Sequence, residues 1–322
     1  CFSISTNIEG KKWFATGGVG IYVFDDLNWQ NFDVNNSGLP TNEVFNIEID
    51  GNNNKWIGTK LGCVKFDGTS WVVYDTTNSN LPGDWIKSLY IDEDENIWVG
   101  TMSDGMACFC DAEWEAFSTS NSGLLNNWLK PNVVSQDGTV WIGTFYGGLS
   151  SYCDSTWENF NISNSGISHD DIRDLTIDQD ENLWIGTYGG GISIWNGNSW
   201  KTMTPSNSGL PSYTVSSISI ENENKIWIGL YGNFNDGLAF YQGGENWILY
   251  NTTNSDLPSN NVRAIGIDHN GNKWIGTLGG LAKFDENDWT VYTESNSELP
   301  ENYVKAITCE LNSQDVWIGT HG

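Results

Sequence analysis

One tetrapeptide recurs down the chain and limits what it can fold into. Variants of Trp-Ile-Gly-Thr begin at Trp13, Trp56, Trp98, Trp141, Trp184, Trp227, Trp274 and Trp317. Successive tryptophan numbers differ by 43, 42, 43, 43, 43, 47 and 43. A period in the forties sustained from end to end marks a solenoid, a propeller or an array, in which one supersecondary unit stacks on copies of itself. The 322 residues therefore read as one repeating architecture and not as two unrelated domains.

The unit from Val262 to Glu301 shows what repeats. Val262 to Ile267 alternates with the period of two expected of a strand, and Asp268-His269-Asn270-Gly271-Asn272 is a tight turn of residues that tolerate positive φ. These are strand A and its turn. Lys273 to Thr277 is strand B, Leu281 to Phe284 strand C and Trp289 to Tyr292 strand D. Asn296-Ser297-Glu298-Leu299-Pro300 then leads to the next repeat, its proline ending the pairing. Four short antiparallel strands per repeat, with no helical periodicity, predict an all-β fold, a β-propeller of four-stranded blades. The long repeat carries three extra residues in its B-to-C connection, between Tyr231 and Gly237, where a surface loop tolerates insertion. Fifteen of the 18 tryptophans are repeat positions on strands B and D, and packing between blades accounts for them.

Aligned on Trp13 and Trp274, Cys1 falls where Val262 falls, so the chain opens at the start of a strand A. Seven complete units fill residues 1–303, and 304–322 adds the A and B strands of an eighth repeat. The count gives a seven-bladed propeller with a spare hairpin. Eight blades with an incomplete last one is the competing arrangement. No completion of one terminal blade by the other terminus is evident.

Lys+Arg 14 against Asp+Glu 41 leaves a formal charge of -27, which repels phosphate backbones and anionic lipid. Nucleic acid is excluded as a partner, and neutral or cationic ligands suit the bulk charge better. No apolar run reaches the roughly 18 residues of a membrane span, so no membrane insertion is expected. The six cysteines show no CxxC spacing. Cys110 and Cys153 hold equivalent places in adjacent repeats, about 10 Å apart on packed sheets, beyond the roughly 7 Å Cα limit of a disulfide. The cysteines are read as free, and Cys1 as a chain edge rather than a lipid-bearing residue.

The run from Ile177 through Trp184 to Thr187, followed by Gly190-Gly191-Ile192, resembles the two-component regulator propeller repeat. That resemblance covers essentially the whole chain. It implies a seven-bladed propeller outside the cytoplasm, periplasmic, cell-surface or secreted, often engaged in sensing glycan fragments or in binding partners. The chain has no histidine-kinase or receiver segment, so signalling output is not assigned to it.

Enzymatic readings find little support. A propeller sialidase needs an arginine cluster to grip a carboxylate, and the chain has two arginines, Arg173 and Arg263. Ser135 to Trp141 is similar to the Asp-box turn of those enzymes but one residue short, and reads as a structural turn. His169, His269 and His321 stand in non-equivalent settings, so no acid-base pair is suggested. The Asp-rich A-to-B turns around Asp92 and Asp178 lack a further acidic ligand at fixed spacing. No metal site or cofactor is expected beyond loosely held Ca²⁺.

Binding has better support, at positions where the repeat breaks its own rule. With strand A innermost, the D-to-A and B-to-C connections share one face around the channel mouth. The residue before strand A reads Glu43, Trp85, Trp128, Asp171, Thr214, Asn261 and Tyr303. The residue after Trp-Ile-Gly-Thr reads Gly17, Lys60, Met102, Phe145, Tyr188, Tyr231 and Leu278. Variation at a repeated position is not required by the fold. The candidate ligand-binding set is therefore Trp85, Met102, Trp128, Phe145, Tyr188 and Tyr231, with Tyr146 and Phe234 beside them and Asp104, Asp171 and Asp236 as polar groups. Aromatic faces stack on the C–H patches of sugars while carboxylates accept hydroxyl hydrogens, and the same arc serves as a hot spot for a protein. The competing expectation is that these side chains fold over and fill the channel.

The expected function is a non-enzymatic extracytoplasmic recognition module for a glycan or a polypeptide. The alternatives are a structural protein joining chains through its terminal hairpin, by self-association, and a propeller lyase or hydrolase.

Overall fold

A computed structural model of the chain describes residues 3–92, 94–222, 225–234, 236–244, 246–309 and 315–321, with the side chains of residues 130 and 131 left aside. The expected start of a strand at Cys1 lies outside the described residues. The fold is all-β, a seven-bladed β-propeller: seven four-stranded antiparallel sheets, each built from four strands consecutive in sequence. Val304–Cys309 and Val316–Thr320 pair in a two-stranded sheet. The chain divides into two compact units, Cys1–Leu129 with the first three blades and Lys130–Gly322 with the other four and the two-stranded sheet.

The fifth blade shows how the repeat folds. Its strands are Ile172–Ile177, Leu183–Thr187, Ile192–Trp195 and Trp200–Met203. Strand B is buried along its whole length, because the blade's own strands A and C flank it and neighbouring sheets cover its faces. Trp184 packs with Ile192, Ile194, Met203 and Leu210 of its own repeat against Val215, Ile218, Ile228 and Ala239 of the next. Gly186, after the tryptophan motif's isoleucine, lets the sheets come that close: a Cβ there would stand 2.8 Å from Val215 Cγ1. Strands A of adjacent blades are also stitched by polar groups. The Ile218 N–H donates to Asp174 Oδ2 at 2.6 Å, and Ser216 Oγ donates to the Val262 carbonyl at 2.8 Å.

The A-to-B turn has a definite job. The aspartate six residues before the strand-B tryptophan folds over its own turn, and its Oδ2 accepts the indole N–H: Asp50 from Trp56 at 3.0 Å, Asp92 from Trp98 at 2.9 Å, Asp178 from Trp184 at 2.8 Å and Asp268 from Trp274 at 3.0 Å. Its Oδ1 accepts backbone N–H groups two and four residues on, as in Asp178 with Asp180 and Asn182. These carboxylate oxygens are engaged by the fold.

The cysteine reading needs a correction. Cys108 and Cys110 form a disulfide with their Cα atoms 5.6 Å apart. Alternate residues of a strand point to the same face, so two cysteines two apart on strand Met106–Cys110 meet within one blade, a pairing that a comparison between repeats overlooks. Cys63, Cys153 and Cys309 are free thiols.

Candidate functional site

Each blade's D-to-A connection is a fixed structure rather than a flexible link. In the fourth repeat Asn164 Oδ1 accepts the Asn161 N–H, its Nδ2 donates to the Asn159 carbonyl, and Ser165 Oγ caps the turn by donating to the Asn161 carbonyl. Ile167 is buried at its end. The same anchoring recurs at Asn78, Asn121, Asn207 and Asn254. This fixes where the residue before strand A stands.

The residue after Trp-Ile-Gly-Thr is then tied to it. The Met102 N–H donates to the Trp85 carbonyl at 2.8 Å, Tyr188 to Asp171 at 2.9 Å, Leu278 to Asn261 at 3.2 Å and His321 to Tyr303 at 3.0 Å. The two irregular positions of these repeats are thus neighbours at one end of the blade. The motif threonine holds the B-to-C loop behind them, as Thr187 Oγ1 donates to the Gly191 carbonyl at 2.9 Å.

In the first unit, Trp85 is half-buried beside Phe45, ring centroids 6.0 Å apart, with its indole nitrogen buried and without a hydrogen-bond partner. Lys60 Nζ lies 5.3 Å and Lys87 Nζ 5.0 Å from its ring centre. Met102 is exposed next to it. Asp104 lies against Gly83 and opens toward a groove lined by Asn80, Trp114 and Asn127. Trp128 is exposed at the end of the unit.

In the second unit, Phe145 and Tyr146 make an edge contact at 4.5 Å, and Tyr146 stands exposed 6.2 Å from His169. Asp171 is fully buried, with Oδ2 held by Arg173 Nη2 at 2.7 Å. Tyr188 and Tyr231 lie 6.1 Å apart, with Tyr188 40% exposed. Phe234 is 99% exposed on the long loop, whereas Asp236 is buried and accepts the Asn233 N–H at 2.7 Å, closing that loop on itself. Asp236 is therefore engaged by its own turn.

Two stretches, residues 80–103 and 166–189, match the family model described as Two component regulator propeller. At these two stretches the chain carries the two component regulator propeller repeat. Among solved structures it is similar to the extracellular domain of the putative hybrid two component system BT3049 from B. thetaiotaomicron, at 21% identity and TM-score 0.62, over 99% of this chain and 50% of that one. It is also similar to PorZ, a surface component of the type-IX secretion system of Porphyromonas gingivalis, at 20% identity and TM-score 0.63, over 88% of this chain and 46% of that one. The chain thus spans about half the length of these two. Virginiamycin B lyase from Staphylococcus aureus has the same fold at 13% identity and TM-score 0.57, over 99% of this chain and 91% of that one. Comparison with curated proteins returned no significant match.

The irregular positions did not reveal the residue two places further on. The strands A from Val44, Ile86, Leu129, Ile172, Val215, Val262 and Val304 continue with Phe45, Lys87, Lys130, Arg173, Ser216, Arg263 and Lys305. Five of the chain's 14 basic residues, both arginines among them, share this one register. The signal was present in the repeat alignment, hidden by the bulk negative charge.

Proposed function

We propose that the chain is a non-enzymatic, extracytoplasmic recognition module that binds a glycan or a polypeptide at its D-to-A and B-to-C connections. The observation carrying this reading is the backbone tie between the two irregular positions. It sets Trp85 beside Met102 and Tyr188 beside Asp171 on a fixed frame, as a preorganised binding surface requires. The location is supported by likeness to extracellular domains, and no described helix is long and apolar enough to cross a membrane.

A catalytic role is not favoured. His169 Nδ1 accepts the Asp171 backbone N–H at 3.0 Å, and Ser135 Oγ and Asp137 serve their own turn. Assembly through the sheet Val304–Cys309 and Val316–Thr320 is a second reading, in which the chain would associate with concentration in gel filtration.

The test is a glycan array and a peptide array probed with the whole chain, repeated with Tyr188→Ala and Trp85→Ala. Retention of a defined glycan or peptide, weakened at least tenfold by one of the substitutions, is the expected result. Turnover of a substrate, or no retention on either array, overturns the reading.

A further inference from the structure

The basic register gathers, within the second unit, into a site that the candidate aromatics alone do not explain. The Arg173 guanidinium lies 4.6 Å from the Tyr188 ring centre, and the Arg263 guanidinium 4.5 Å from that of Tyr231. With the two rings 6.1 Å apart, the order across three adjacent blades is cation, ring, ring, cation. Lys305 stands over Tyr303 at 5.1 Å on the neighbouring strand A.

Charges of one sign do not collect without cause. Arg173 has one carboxylate, Asp171. Arg263 has no carboxylate within ion-pair distance among the described residues. Its Nε is buried with no hydrogen-bond partner, as are Arg173 Nε, Asp171 Oδ1 and Asn261 Oδ1. Buried polar atoms without partners are rare in folded proteins, and a pair of them at the start of each of the strands Ile172–Ile177 and Val262–Ile267 marks where something else completes the bonding. Both guanidinium charges act on the Tyr231 hydroxyl, where they oppose the upward push of burial on its pKa.

We propose that the Arg173–Tyr188–Tyr231–Arg263 cluster is an anion site that receives the carboxylate of an acidic sugar, a uronic acid within an oligosaccharide. This rests on the recognition reading above and gives it a ligand class. A guanidinium fork fits a planar carboxylate with two hydrogen bonds, and Arg263 has its fork to give. The unpartnered acceptors Asp171 Oδ1 and Asn261 Oδ1 call for O–H donors close to that carboxylate, which a sugar acid carries on its ring. Tyr188 offers an exposed aromatic face beside them. The buried Asp171 charge and the molecule's net charge disfavour a doubly charged phosphate.

The whole chain is titrated calorimetrically with oligogalacturonate and oligoglucuronate, with the same oligosaccharides after carboxyl reduction, with a sulfated neutral oligosaccharide and with an oligoglutamate peptide. Arg263→Gln is the central variant, because Arg263 holds no described carboxylate whose loss would disturb folding. Arg263→Lys keeps the charge and loses the fork, and Lys201→Gln is an exposed control. The expected result is binding of a uronate at least tenfold tighter than its reduced form, weakened at least tenfold by Arg263→Gln, partly restored in Arg263→Lys and unchanged in Lys201→Gln. Equal binding of reduced and acidic sugars, or a uronate affinity indifferent to Arg263→Gln, overturns the carboxylate site while leaving glycan recognition standing. Tighter binding of the sulfated sugar or of the peptide also overturns it. If no sugar or peptide binds at all, the recognition reading itself falls.

Discussion

At the scale of single residues, the strand-B tryptophans show how one atom separates equivalent repeats. Asp50, Asp92, Asp178 and Asp268 each give one oxygen to the turn and the other to an indole N–H. In the first repeat that position is Asn7. Its Oδ1 accepts the Glu9 and Lys11 N–H groups in the same way, but where the aspartate has a second acceptor it has a donor. Trp13, 5% exposed, accordingly has a buried indole nitrogen with no hydrogen-bond partner. Asn7→Asp supplies the acceptor and is expected to stabilise the first unit by roughly 1 kcal/mol, read as a higher urea midpoint with unchanged slope. A lower midpoint would show that the indole is not short of a partner. The turn and the tryptophan were legible in the sequence. The bond between them was not, because a six-residue spacing says nothing about which way a carboxylate folds.

At the scale of strands, adjacent blades are joined by a carboxyl group that titrates near neutrality. Asp174 reaches from the fifth strand A to the Ile218 N–H of the sixth. Burial pushes its pKa up to about 7, against the pull of the Ile218 and Leu175 N–H groups. A carboxyl whose pKa is raised in the folded state stabilises while protonated. That contribution is full below its ordinary value near 3.8 and is lost as pH rises through about 7. Glu48, on the second strand A, is pushed by burial to about 7 with the same sign. Melting followed from pH 4.5 to 8.5 should therefore fall as pH rises to about 7 and level off above it, and Asp174→Asn should flatten that fall by on the order of 1 kcal/mol. An identical slope in the variant would remove Asp174 as its cause. Turns are joined in a similar way, since Glu95, at φ 65°, accepts the Gly51 N–H of the preceding repeat at 2.8 Å, and Glu181, at φ 61°, accepts that of Gln136 at 3.1 Å. Those left-handed glutamates look like ordinary solvated turn charges in the sequence, because the partner lies one repeat away.

At the scale of the whole molecule, bulk charge and local charge point in opposite directions. A net charge of -27 slows the approach of any anion, while the guanidinium groups of Arg173 and Arg263 would hold one on arrival. Raising ionic strength shortens the Debye length from about 30 Å at 0.01 M to about 8 Å at 0.15 M, which screens the distant carboxylates more than a contact pair. The association rate of an oligouronate is therefore expected to rise with salt over that range in stopped-flow measurements. A fall would mean that the long-range field at the site is positive. The sequence by itself determined the blade, its four strands and their number, because a tryptophan, a glycine and an anchored asparagine-serine turn recurring at a fixed period leave few other ways to bury the same face repeatedly. It also marked the irregular positions. Only the tertiary structure decided that Cys108 meets Cys110, that Asp236 closes its own loop, and that Arg263 faces Tyr231 with no described carboxylate beside it. Those outcomes depend on where side chains end up across turns and between neighbouring strands, and a repeat period fixes the backbone that carries them without fixing their direction.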